Sequence, residues 1–208
     1  MYLSLTFKDM SYRVYGELNG GFWKSPAGMD AATGKATFPK LTVYGASVMG
    51  PLAGGIAKAE VGYYDSLDDR SGDDPFVRNG EFRLLLGYKR EVGRELTLGV
   101  RYYLEFMMEH LDYEEILPAG MREKDEDRHV LTVRLTKLAL RQALRLSVFA
   151  FYSPSDGDAY LRPRVHFTAS DSWSVFGGAD VFLGSDDHTF FGQFEKNSNV
   201  HLGLRRSF

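Results

Sequence analysis

The chain has 208 residues, enough for one domain with a full core, and its formal net charge of -3 gives no hint of nucleic acid as a partner. It contains no cysteine, so disulfides and thiolate metal sites are excluded. No apolar run reaches the roughly 18 residues of a transmembrane helix, and the start at Met1 has neither the basic segment nor the continuous apolar stretch of a signal peptide.

Hydrophobicity alternates with a period of two almost throughout, which predicts strands. Leu3, Leu5 and Phe7 alternate with Ser4 and Thr6. After a turn at 8–10, Tyr12, Val14, Leu18 and Phe22 alternate with Arg13, Tyr15, Glu17 and Asn19. A polar loop at 24–39 leads to a strand at 40–49 and a Gly/Pro turn at 50–54. Ala57, Ala59, Val61 and Tyr63 oppose Lys58, Glu60 and Gly62, and a long loop follows at 66–79. Phe82, Leu84, Leu86 and Tyr88 oppose Glu81, Arg83 and Lys89, with a short turn predicted at 91–94. The cleanest alternation comes next: Leu96, Leu98, Val100, Tyr102, Leu104 and Phe106 against Thr97, Gly99, Arg101, Tyr103 and Glu105. The acidic stretch 109–127 reads as the longest loop.

Beyond it, Leu131, Val133 and Leu135 oppose Thr132, Arg134 and Thr136, and 139–142 reads as a turn. Leu144, Leu146, Val148, Ala150 and Tyr152 oppose Arg145, Ser147, Phe149 and Phe151. A turn-rich segment at 153–158 precedes Leu161, Pro163, Val165 and Phe167, which oppose Tyr160, Arg162, Arg164 and His166. Ser170, Asp171 and Ser172 turn the chain into Trp173, Val175, Ala179, Val181 and Leu183, opposed by Ser174, Phe176, Asp180 and Phe182. After a loop at 184–197 the last strand sets Val200, Leu202, Leu204, Arg206 and Phe208 against His201, Gly203, Arg205 and Ser207.

Most of these strands run about 10–12 residues, the length that crosses a membrane at a tilt, against about 5–6 in soluble domains. Short turns alternate with mostly long polar loops, and aromatics such as Phe82, Tyr88, Phe106, Tyr152, Phe167 and Trp173 gather near strand ends. A final strand closing on Phe208 resembles the closing strand of Gram-negative outer-membrane β-barrels of the porin type, where that ending is part of an assembly signal. The family often has an aromatic residue two places before the end; here that place is Arg206.

The resemblance implies an all-β fold, an antiparallel transmembrane β-barrel making residues 1–208 one domain, in the bacterial outer membrane. It also implies passive transport of small hydrophilic solutes, and outer-membrane lipids, lipopolysaccharide and the barrel-assembly machinery as partners. About eleven strands are predicted, whereas a closed antiparallel barrel takes an even number. The expectation is therefore the C-terminal portion of a barrel of about twelve strands or more, with a strand and the export signal upstream of Met1.

In such a barrel the apolar set faces lipid and the alternating polar set faces the lumen. The lumen set holds Arg13, Lys58, Arg83, Lys89, Arg101, Arg134, Arg145, Arg162, Arg164 and Arg205, with the acids Glu17, Glu60, Glu81, Glu105 and Asp180. An excess of basic groups in a pore favours anions. The expected solute-contact residues are Arg13, Lys58, Arg83, Arg101, Glu105, Arg134, Arg162, Arg164 and Arg205. The alternative is structural, in that cross-strand Arg–Glu pairs fill the interior. The acidic loops read as solvated surface or as sites where divalent cations bridge to lipopolysaccharide phosphates.

Two other readings stay open. A lipid-modifying outer-membrane enzyme needs His beside Ser on a strand, and no His-x-Ser spacing occurs around His166, His129 or His201. No catalytic set is expected. A plugged structural or adhesive barrel would act through its loops, its lumen filled by Tyr15, Tyr103, Phe149, Phe151, Phe176 and Phe182. No phosphate loop, dinucleotide fingerprint or metal-ligand spacing appears, so neither cofactor nor metal is expected.

Overall fold

A computed structural model describes residues 15–24, 28–29, 36–119, 123–184, 186 and 189–207, with side chains from Phe38 onward. The alternating start at 3–7, Arg13 and Phe208 lie outside the described residues.

The protein is an all-β antiparallel structure. Its elements in order are β1 (Tyr15–Lys24), β2 (Gly28–Met29), β3 (Ala36–Thr37), β4 (Lys40–Leu52), β5 (Gly55–Ser66), β6 (Glu81–Gly93) and β7 (Leu96–Met107). Helix α1 (His110–Ile116) follows, then β8 (Asp127–Ala139), β9 (Leu144–Ser153), β10 (Asp158–Thr168), β11 (Trp173–Leu183), a 3-10 turn (Gly192–Asn197) and β12 (Asn199–Arg206). Strands β1 and β4 to β12 form one ten-stranded sheet whose order is the chain order; β2 and β3 form a small ribbon. No described helix is long and apolar enough to cross a membrane, which bears on helices alone.

Each of these ten strands lies where the alternation places one. Differences fall at the connections. The turn expected at 91–94 sits at Arg94–Glu95, because the Glu91 carboxylate accepts the Glu95 N–H (2.8 Å) and Glu95 takes a left-handed φ of 55°. The acidic loop expected at 109–127 carries α1, and the loop at 184–197 closes with a 3-10 turn. The loop between β5 and β6 is built on one buried carboxylate. Asp69 Oδ1 accepts N–H groups from Gly72 and Asp73, and Oδ2 accepts that of Asp74. Beside it Arg70 forms a two-pronged pair with Asp65, whose hydrogen bond and charge raise the guanidinium above its usual range.

The described residues gather into two compact units, and both draw on the same strands. The first comprises residues up to Pro51, Lys58–Leu86 and Tyr103–Arg128; the second comprises Leu52–Ala57, Gly87–Tyr102 and the chain from His129 onward. In the second unit the register lays apolar side chains in rows. Leu131 faces Tyr152, Val133 faces Ala150, which faces Leu161, which faces Val181. Lower down, Leu146 faces Val165, and Leu144 faces Phe167, which faces Val175, which faces Leu204. A slip of one residue would turn every row to the opposite face, so the pattern specifies the register strongly. The ladder between β10 and β11 pauses at Pro163, which has no N–H to donate.

These apolar rows are exposed. Val148 is 41% exposed, Leu161 38%, Val165 39% and Leu202 81%. Among the described residues the buried hydrophobic side chains are Met107 and Val130. The charged face shows the reverse: the side chains of Glu81, Asp180 and Glu105 are 8%, 17% and 22% exposed. A water-soluble domain arranges these two classes the other way round.

Candidate functional site

The charged face carries two separate networks, one in each unit. In the first unit, Glu81 on β6 receives Arg83 through both Nε (3.0 Å) and Nη2 (2.6 Å), and it also takes Arg78 from the preceding loop. Arg83 reaches on to Glu105 of β7 (3.4 Å) and lies over the Tyr64 ring of β5, 4.2 Å from its centroid. Glu105 accepts the Tyr103 hydroxyl (2.9 Å) and Arg128 of β8 (3.2 Å). Apart from Arg78, which reaches in from the loop, the links follow from strand geometry: residues two apart on a strand share a face, and opposed positions on neighbouring strands lie about 5 Å apart. Lys58 pairs with Glu60 in the same way along β5. Positive and negative groups are close to balanced here.

The second unit is different. Alternation and register put Lys89, Arg101, Arg134, Arg145, Arg162, Arg164 and Arg205 on one face, against Asp180 and, at the strand ends, Asp158 and Glu91. Asp180 on β11 holds Arg164 of β10 through two hydrogen bonds (3.0 and 2.9 Å), accepts the Tyr160 hydroxyl and stands 3.7 Å from Arg162. Arg164 also donates through Nη1 to His201 Nε2 on β12 (2.6 Å). It can cross β11 because the residue opposite it is Gly178. A Cβ there would lie 2.5 Å from the Pro163 carbonyl and 2.7 Å from Arg164 Cδ.

The segment 189–197 is docked on this face by aromatic rings. Tyr160 stacks on Phe182 (4.8 Å) and on Phe191 (5.1 Å), and Phe151 meets Phe191 edge-on (4.5 Å). Phe194 adds a tilted contact with Phe182. A polar bond anchors the segment as well: the Phe191 N–H donates to Asp158 Oδ2 (2.6 Å). Asp158 is 1% exposed, and its Oδ1 has no hydrogen-bond partner among the described residues.

The expected solute-contact residues therefore divide. Arg83, Glu105 and Arg164 are half-buried and held in ion pairs. Arg101, Arg134, Arg162 and Arg205 are exposed, with Arg134 over the Phe149 ring (5.2 Å from its centroid). Lys58 is exposed beside Glu60. Arg13 and Phe208 are outside the described residues. Several participants were not marked by the sequence, among them Arg128, Asp158 and Phe191. Arg128 falls in the same alternating set as Arg134, and this was a usable signal. Asp158 and Phe191 sit at a strand end and in a loop, where periodicity carries no information.

Two of the imidazoles have partners on these strands: His129 Nδ1 meets the Tyr102 hydroxyl (2.7 Å), and His201 meets Arg164. No protein-family model matches the chain, and comparison with curated protein sequences finds no relative.

Proposed function

We propose that the chain is a transmembrane β-barrel of the Gram-negative outer membrane, its sheet closed on itself. Its charged face lines a channel for passive diffusion of small hydrophilic solutes, with anions favoured. The observation that carries this reading is the inverted burial: aliphatic rows exposed on one face, and on the other the carboxylates Glu81, Glu105 and Asp180 sheltered with their partners Arg83 and Arg164. In a bilayer the exposed rows meet hydrocarbon and the ion-pair networks face water. Strand lengths of 8 to 13 residues suit a tilted crossing. Phe167 and Trp173 at the short-turn end, and Tyr152 at the other, suit the aromatic girdles of such barrels.

The positive excess of the second unit is the basis for the anion preference, since a ring of basic side chains favours anions. Arg164 is sheltered and held closely by Asp180, whereas Arg101, Arg134 and Arg162 are exposed and are the residues that act on a passing solute. Planar-bilayer recording across a salt gradient tests this. The wild type gives stable conductance steps with an anion-selective reversal potential. Replacing Arg101, Arg134 and Arg162 together with Gln moves that potential toward zero, and an unchanged potential refutes the selectivity mechanism.

A second reading is favoured by the aromatic docking of 189–197 on the charged face: a plugged barrel that acts through its loops. A folded, heat-resistant protein without conductance supports that reading against the channel.

A further inference from the structure

We propose that His110, Glu114 and Glu123 form a binding site for a divalent transition cation of the zinc class. His110 and Glu114 are one turn apart on α1, and this brings His110 Nδ1 to 3.1 Å from Glu114 Oε1. Glu123 arrives from the segment that returns toward β8. One ligating atom from each residue lies within 4.8 Å of the others.

The hydrogen bond on the far side of the ring makes this cluster more than a group of acids. His110 is buried, 9% exposed, and its Nε2 is 2.6 Å from the Lys124 carbonyl. A carbonyl only accepts, so Nε2 carries the hydrogen. In the neutral ring Nδ1 is then a bare lone pair aimed at carboxylate oxygens. That arrangement repels unless a positive charge stands between them. A proton would serve one carboxylate; a divalent ion serves the nitrogen and both carboxylates at once. An imidazole N–H held by a carbonyl is also the support that metal-bound histidines regularly have.

The frame is pre-built. The Tyr113 ring packs on His110 (centroids 5.7 Å apart), and its hydroxyl accepts the Lys124 N–H (3.3 Å). One nitrogen and two carboxylate oxygens suit zinc and its neighbours, with a fourth position for water; calcium and magnesium favour all-oxygen sets. A bound ion would clip α1 to the segment leading into β8. The site lies wholly within the first unit and does not depend on the channel reading.

The test uses the full chain folded in detergent micelles, with Zn2+ binding followed by calorimetry and Co2+ by its visible absorption. Expected is saturable binding of a single equivalent with a nitrogen-containing, low-coordinate Co2+ spectrum. His110→Ala, Glu114→Gln and Glu123→Gln should each weaken binding by at least about tenfold, while Glu115→Gln leaves it unchanged. Glu123 is exposed, so its variant remains informative if His110→Ala disturbs folding. No saturable binding, or equal weakening by Glu115→Gln, overturns the proposal. So does an imidazolium on His110, seen by NMR, in a protein that His110→Ala leaves able to bind.

Discussion

Gly178 and Arg164 show how a single residue decides a network on this face. Arg164 spans two strands only because the position opposite it on β11 has no side chain. Gly178→Ala would force a methyl against the Pro163 carbonyl and the Arg164 stem, pushing the guanidinium off Asp180. Overpacking of this kind costs about 1–3 kcal/mol. Gly99 is the control, since a Cβ there meets nothing closer than 3.9 Å. Urea titration of the folded protein should place Gly178→Ala clearly below the wild type, with Gly99→Ala within about 0.5 kcal/mol of it. Equal behaviour of the two variants would mean that the crossing contributes nothing to stability. Gly203 has a related role: the Phe176 ring covers it from the opposite strand, with ring carbons where a Cβ would sit.

At the scale of elements, the segment 189–197 separates the open and plugged readings. Its aromatic rings cover part of the charged face, and a backbone hydrogen bond, Phe191 N–H to the buried Asp158 carboxylate, anchors it. A hydrogen bond to a charged group contributes about 1.5–3 kcal/mol. Asp158→Ala should therefore raise amide exchange at Phe191 by roughly tenfold or more, with β9 to β11 exchanging as before. If the segment plugs a channel, the same variant also gains conductance. Unchanged exchange at Phe191 would show that the rings alone hold the segment.

For the whole molecule the decisive question is what the apolar rows meet. Val148 lies midway along β9 and is exposed. An arginine placed on the lipid face near the bilayer midplane costs about 2–4 kcal/mol. Val148→Arg should lose that much when refolding into vesicles is titrated with urea. Thr132→Arg, on the charged face of β8, should be tolerated. If both substitutions cost the same, the apolar face does not lie against lipid.

Much of the fold was legible in the chain because side chains alternate along a strand wherever that strand is placed. Period two was enough to locate every strand of the described sheet, and the apolar set it marked is the exposed face. The same alternation put Arg83, Glu105, Arg164 and Asp180 on one side. It could not say that Arg128 completes Glu105, or that Arg164 passes over Gly178 to Asp180 and His201. Those pairings depend on which residues the register sets opposite one another, a relation between strands and not along one. For the same reason α1, the docked segment at 189–197 and the meeting of His110 with Glu123 came only with the tertiary structure. Each needs a loop to return to a particular place, and the return path is set by long-range packing that no local pattern encodes.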